Sequence, residues 1–270
     1  MQIDLKGKVA IVTGAGRGIG RVIAETLAAE GVTTVATDIQ EDTLRDLAQE
    51  FQQNDWQGGA VRYDVRDRIG IRDLVEQVTA KYGRIDILVN NAGVSVGGSI
   101  ETLPEDSWDD NLDTNLKGTF LMCQGVIPVM KAQKSGRILN AASFAAIVPA
   151  LGSAAYAASK AGVVSLTRVL AGELGPWNIT VNCYAPGMIP TQMNHFAEAA
   201  PGHQQRLLDT LTLRRWGEKQ DVARLICFLA SDLAGYITGA LIDISGGKLT
   251  TQIPRVAYEN AAREGQYEFE

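Results

Sequence analysis

What this chain has little of narrows it before any motif is read. Cysteine occurs three times in 270 residues, at Cys123, Cys183 and Cys227. The number is odd and the positions are far apart in apolar surroundings, which suits neither a disulfide framework nor a metal-ligand pattern. Only two histidines are present, His195 and His203. With no acidic cluster beside them, metal ligation is not expected, and both read as surface or pocket-rim residues. No apolar run is long enough for a membrane span, because the least polar stretch, 141–158, is broken by serines, Pro149 and Gly152. The opening MQIDLKGKVAIV has no basic stretch leading into a long apolar one and no small-residue cleavage site. A reduced, cytoplasmic compartment is therefore expected. Basic residues are also in deficit, 25 against 31 acidic for a net charge of -6. Such a field repels phosphate backbones and anionic headgroups, which argues against a nucleic-acid or membrane-surface role.

What is present is a globular composition, 46% hydrophobic and 21% charged, and a regular alternation of patterns. Short β-branched runs predict strands over 8–13, 33–37, 60–63, 85–89, 137–140, 180–184 and 240–244. Apolar residues at helical spacing predict helices over 19–30, 41–53, 68–82, 104–131, 154–174 and 221–230. Strand and helix in strict alternation build a parallel sheet covered by helices on both faces, because parallel neighbours need a crossover. The expectation is one α/β domain, a doubly wound parallel sheet of about seven strands flanked by helices. It comprises residues 1–247, with an irregular insertion at 186–216 as the substrate loop and a C-terminal extension over 248–270.

Directly after the first strand comes Thr13-Gly14-Ala15-Gly16-Arg17-Gly18-Ile19-Gly20. Glycines at 14, 18 and 20 allow close backbone approach, and a helix start offers free N–H donors to a pyrophosphate. A glycine-rich turn without a ligand would look the same. The distinguishing feature is Asp38, which ends the second strand 18 residues beyond the last glycine, with Ile39 beside it. A carboxylate there accepts from a ribose 2′-hydroxyl and repels a 2′-phosphate, so NAD is expected over NADP. Arg17 pulls the other way or is merely a solvated cation. Asp64, followed by Val65 at the end of the third strand, either meets the adenine amino group or caps the next helix.

Further along stand Asn90-Asn91-Ala92-Gly93, Asn115, Ser143 and Tyr156-Ala157-Ala158-Ser159-Lys160. Tyr156 and Lys160 are one helical turn apart and project from one face. Oxidation of a carbinol needs a base, and an ordinary tyrosine with a pKa near 10 is poorly ionised at pH 7. An ammonium one turn away, together with a positive nicotinamide, favours tyrosinate. Ser143 would hydrogen-bond the carbonyl oxygen, Lys160 would also hold the nicotinamide ribose, and Asn115 would fix a water returning protons to bulk.

These motifs stand in the order found in the short-chain dehydrogenase/reductase family, which the chain resembles from Leu5 to Gly247. The resemblance adds Pro186-Gly187 with Thr191 to the pattern. It implies a Rossmann-like fold, catalytic roles for Asn115, Ser143, Tyr156 and Lys160, and cofactor support from Asn91. It also implies that the segment containing Pro186, Gly187, Ile189 and Thr191 wraps the nicotinamide. Family members are typically tetramers built through the long helices, here 104–131 and 154–174. Two departures stand out: Ser245-Gly246-Gly247 replaces the frequent Asp-Gly-Gly, and the tail carries Tyr258, Tyr267 and Phe269 among mixed charges. The tail is either a disordered end or an arm lying on a neighbouring subunit.

The mainly apolar Ser95, Val96, Phe144, Ala145, Met188, Met193 and Phe196 are the candidates for the substrate wall. The main expectation is an NAD-dependent oxidoreductase interconverting a small secondary alcohol (a polyol, sugar or hydroxy acid) and its ketone. The alternative is a 3-oxoacyl thioester reductase, for which Arg214 and Arg215 would form part of a basic patch for the carrier. A non-catalytic nucleotide sensor is the third reading, but it should lack Ser143, Tyr156 or Lys160, and all three are present.

Overall fold

The computed structural model describes residues 3–194, 196–248 and 250–268. Strand β1 (Val9–Thr13) is buried at every position. Its side chains alternate between two apolar layers, Ala10 and Val12 in one and Val9 and Ile11 in the other. Burial on both faces is what a parallel sheet between two helical layers requires. The remaining elements follow in chain order: α1 (Gly18–Ala29), β2 (Thr33–Asp38), α2 (Glu41–Gln53), β3 (Gly58–Arg62), α3 (Arg68–Tyr82), β4 (Ile87–Asn90), α4 (Glu105–Asn111), α5 (Gly118–Gln133), β5 (Gly136–Ala141), α6 (Ala154–Leu174), β6 (Ile179–Pro186), α7 (Pro201–Leu208), α8 (Lys219–Ala230), β7 (Leu241–Ile244) and α9 (Arg255–Arg263).

All seven strands pair in parallel in the order β3-β2-β1-β4-β5-β6-β7. The order turns back between β1 and β4, and a crevice opens at the carboxyl ends of strands at such a switch point. One face of the sheet carries α1 and α8, with Ile23, Leu27 and Ile226 fully buried. The other carries α3, α5 and α6 through residues such as Leu74, Met122 and Leu174. Each such large side chain contributes about 1.5–3 kcal/mol on burial, which holds the strand ends in place. Local signals fix the helix limits: the Asp67 side chain accepts from Ile69 N, starting α3, and Gly83 at φ 77° ends it.

Helix α6 has the limits its periodicity predicts. The helix predicted over 104–131 instead divides into α4, a π-helical turn at Leu112–Lys117, and α5. The extra residue per turn brings Asn115 into the interior, where it is fully buried. The insertion at 186–216 is not wholly irregular, since it contains α7, and the tail contains α9. Both helices are only two or three turns long, too short for periodicity to stand out. The three cysteines are buried and form no disulfide. Among the described residues no helix is long and apolar enough to cross a membrane.

Candidate active site

The loop joining β1 to α1 is shaped by what it cannot contain. Gly14 has φ 64°, and a Cβ there would lie 2.6 Å from Ala92 Cα. Gly18 has φ 63° but faces open space, with nothing within 4 Å of a Cβ. One glycine thus lets two loops touch, and the other leaves room for a ligand. Asn91 fastens the loop: its Nδ2 donates to Gly14 O at 3.2 Å, and its Oδ1 accepts from Tyr184 Oη at 3.3 Å. The Asn91 and Ala92 N–H groups both donate to Thr13 Oγ1 at 3.1 Å. Gly20 has a different task from the one expected. It does not line the cavity, and its Cβ would lie 2.1 Å from Gly14 O, so it permits helix–loop packing rather than ligand contact.

A cavity of about 600 Å³ runs along the strand ends, a volume typical of small-molecule sites. Of the cofactor candidates it is lined by Gly14, Arg17, Gly18, Ile19, Asp38, Ile39, Asp64, Val65, Asn91, Ala92, Gly93, Tyr156, Lys160, Pro186, Gly187, Ile189 and Thr191. The Asp38 carboxylate accepts from Gly16 N and Gln40 N, each at 3.0 Å, which fixes its position at the rim. Asp64 is held by Arg66, whose guanidinium contacts both carboxylate oxygens at 2.9–3.1 Å and whose N–H donates at 2.9 Å. That side-chain pairing pulls the Asp64 carboxyl below its ordinary pKa. Asp64 is not the cap of α3, a role Asp67 fills. Arg17 is not simply solvated, because its Nη1 donates to Gln192 Oε1 across the cleft at 3.2 Å.

Ser143, Tyr156 and Lys160 line the same cavity. Ser143 Oγ accepts from Ala145 N at 3.1 Å, leaving its hydrogen to donate elsewhere. Lys160 Nζ donates to Ala141 O at 2.8 Å and lies 5.7 Å from the Tyr156 ring centroid. Burial lowers the lysine to about 8. Burial also raises the Tyr156 phenol, against the opposing effect of a hydrogen bond with Ser143. The protein alone therefore favours the neutral phenol, and the tyrosinate expected from Lys160 needs the further positive charge of a bound, oxidised nicotinamide. Asn115 does not line the cavity. Its Oδ1 accepts from Val94 N at 2.8 Å, while its Nδ2 donates to Val94 O at 2.9 Å and Ser159 Oγ at 3.0 Å. Its side chain thus braces the segment beside Gly93, and the carbonyl accepts from Thr119 Oγ1 at 2.7 Å.

Of the substrate-wall candidates, Ser95, Phe144, Ala145, Met193 and Phe196 line the cavity, whereas Val96 and Met188 do not. Met188 is buried, its carbonyl capped by Gly217 N at 3.0 Å, and Val96 lies outside with its carbonyl accepting from Asn111 Nδ2 at 3.0 Å. Tyr184 and Asn194 also line the cavity, although neither belongs to a motif in the sequence. Tyr184 sits at a strand end, a placement that could have flagged it. Asn194 shapes the loop by accepting from Thr191 N at 3.1 Å and donating to Ile189 O at 2.8 Å, contacts without a local pattern. His203 is exposed, 3.4 Å from Arg206; His195 and Phe269 lie outside the described residues. The described part of the tail makes contacts within its own chain, where Tyr258 Oη donates to Thr212 O and Tyr267 Oη accepts from Arg214 Nη1. Arg214 and Arg215 make local ion pairs, with Asp209 at 3.1 Å and Asp221 at 3.5 Å, and do not form a joint basic patch.

These features define a nicotinamide-dependent oxidoreductase: an open cradle at Gly18, a fixed carboxylate at one end and a phenol, ammonium and hydroxyl at the other. The short chain dehydrogenase family model matches residues 8–201, and the chain belongs to that family. It is 41% identical over 244 residues to a 3-oxoacyl-(acyl-carrier-protein) reductase of Thermotoga maritima, covering 90% of this chain and 98% of that protein. It is 39% identical over 246 residues to a hydroxy(phenyl)methylsuccinyl-CoA dehydrogenase subunit of Thauera aromatica, covering 91% and 98%. Among solved structures, a protein assigned as a short-chain alcohol dehydrogenase of Sinorhizobium meliloti superposes with a TM-score of 0.88 at 35% identity, over 93% of this chain and 99% of that one.

Proposed function

We propose that the protein transfers hydride reversibly between NAD(H) and the 3-oxo or 3-hydroxy carbon of an acyl thioester. The observation that carries this reading is that Ser143, Tyr156 and Lys160 open into the same cavity as Asp38. The names of the two relatives above, one acting on a carrier-protein thioester and one on a coenzyme A thioester, support the substrate class. Bound nicotinamide supplies or accepts the hydride. Ser143 donates to the substrate oxygen and orients it, and Tyr156 exchanges the proton at that oxygen. Lys160, held against Ala141 O, keeps a positive charge beside the phenol. Burial keeps the phenol protonated at neutral pH, the form that delivers a proton to the substrate oxygen during reduction.

Asp38 supports NAD over NADP, because a second negative charge about 4 Å away costs about 1 kcal/mol in water and about 4 at an effective protein dielectric. The local pairing of Arg214 and Arg215 favours a coenzyme A thioester over a carrier protein. We place cofactor binding and catalysis in residues 1–247, in a cytoplasmic homotetramer formed through α5 and α6, where Phe120 and Val169 are exposed. A second reading, oxidation of a small secondary alcohol, is supported by the structural likeness to an alcohol dehydrogenase. The test is consumption of NADH, and of NADPH in parallel, with acetoacetyl-CoA, alongside NADH formation from NAD+ with polyols. NADH-dependent reduction is expected, and Tyr156→Phe should lower kcat about 10²–10⁴-fold while NADH still binds. Turnover of polyols but not of the thioester would transfer the assignment to the second reading. Full turnover in Tyr156→Phe would remove the tyrosine from the chemistry.

A further inference from the structure

Beyond the cavity, a set of side-chain contacts joins the tail to the end of the substrate loop. Asp209 accepts from Arg214 Nε at 3.1 Å through one oxygen and from Arg255 Nη1 at 2.9 Å through the other. The Asp209 and Arg214 side chains are 12% and 8% exposed, so this pair is largely removed from water. Arg214 Nη1 donates to Tyr267 Oη at 2.9 Å, and Tyr258 Oη donates to Thr212 O at 2.6 Å. The two tyrosine rings meet edge to face at 5.0 Å. Arg214 itself sits at φ 46°, a left-handed conformation that glycine would adopt more readily. A backbone held there by its own side chain's partners marks a position where the guanidinium matters.

The same segment reaches the cavity wall by two routes. Trp216 stacks on Phe196 with centroids 6.0 Å apart and planes 10° from parallel. Lys248 Nζ donates to Thr210 Oγ1 at 2.7 Å and stands 5.2 Å from the Phe144 ring. Phe144 and Phe196 both line the cavity. The family model ends at residue 201, so Asp209, Arg214, Tyr258 and Tyr267 all lie beyond it.

We propose that residues 255–267 form an intramolecular strap that sets the position of the substrate wall, with Arg214, Tyr258 and Tyr267 as positioning residues. The strap's contacts named above involve neither Tyr156 nor the glycine loop. Loosening it therefore changes how well substrate is gripped and leaves the chemistry and the dinucleotide unaffected.

The test compares the native chain with the paired variant Tyr258→Phe/Tyr267→Phe, with Arg214→Gly, and with a chain ending at residue 253. Three readouts are taken: NADH affinity, subtilisin cleavage within 196–216, and KM and kcat for acetoacetyl-CoA. The paired variant should be cleaved faster in that segment and show a KM raised about tenfold, the loss of one or two ordinary hydrogen bonds from the ordered loop, with NADH affinity unchanged. Arg214→Gly should behave alike, although it relieves the backbone. Native cleavage and native KM in both substituted proteins would overturn the strap, whatever the truncated chain does. The kinetic arm rests on the thioester reading, but the cleavage arm does not. If the native protein leaves acetoacetyl-CoA untouched, that reading fails by itself and the cleavage pattern alone decides the strap.

Discussion

The two ends of the cavity are held by different physics. At the dinucleotide end, backbone and short side chains do the holding. Gly14 and Gly20 admit no Cβ, Asn91 has both amide atoms engaged, and Asp38 is fixed by two N–H groups. At the substrate end, long side chains from distant parts of the sequence meet: Arg214 with Tyr267, Trp216 with Phe196, Lys248 with Phe144. The first arrangement is specified by close backbone approach and tolerates little change. The second is adjustable one side chain at a time, which suits a family in which one hydride-transfer apparatus serves many substrates.

The strongest way to break this contrast is to substitute at both ends. Gly14→Ala would place a methyl 2.6 Å from the Ala92 backbone at φ 64°. Left-handed strain and overpacking together should cost about 2–5 kcal/mol and lower the unfolding midpoint, with loss of NADH binding. Trp216→Leu removes the stacking on Phe196, worth about 0.5–1.5 kcal/mol, with NADH binding kept. Equal losses in thermal or denaturant unfolding would mean the two ends are not built differently.

The same contrast explains what could be read in advance. The seven strands, α6, the glycine loop with Asp38, and the cluster of Ser143, Tyr156 and Lys160 are written in local spacing, and the structure brings them to one cavity. What could not be read depends on partners far away. The π turn carries Asn115 inward to a partner, Val94, that lies 21 residues back. Gly20 looked like a ligand contact because its packing against Gly14 O is invisible in a motif. Met188 looked like pocket wall and is buried instead. Arg214 looked like a docking cation, but Asp209 and Tyr267, the latter 53 residues on, claim it.

Between the two ends stands Lys160, and its titration sharpens the comparison. Burial lowers its pKa from 10.5 to about 8, so the ammonium present at neutral pH is lost as pH rises through about 8. The rate constant kcat/KM for reduction should therefore fall above about pH 8, approaching tenfold per unit, while NADH remains bound through the glycine loop. Stability should move the other way. Between about 8 and 10.5 the unfolded chain holds more protons at this residue than the folded one, so folding becomes more favourable as pH rises through that window. Lys160→Arg retains the charge and should shift the activity fall to higher pH. A profile flat to pH 10 in the native enzyme would detach the ammonium from the reaction.

The smallest expected effect lies at the carboxylate itself. Asp38→Asn removes the negative charge and keeps one side-chain oxygen, which can accept from Gly16 N or from Gln40 N but not from both, because each donates to a different oxygen of the aspartate. The ribose contact then survives in part while repulsion of a 2′-phosphate disappears. The ratio of kcat/KM with NADH to that with NADPH should narrow about five- to tenfold, toward the lower part of the Coulomb range because this residue stands at the cavity rim. Most of the change should appear as better use of NADPH. Arg17, whose Nη1 now reaches Gln192 on the facing loop, would be the nearest cation in the glycine loop to take up the extra phosphate. Adding Arg17→Gln to Asp38→Asn should therefore reverse part of the gain. An unchanged ratio in Asp38→Asn would mean that dinucleotide choice is set on the adjustable side of the cavity, and the division between the two ends would lose its sharpest boundary.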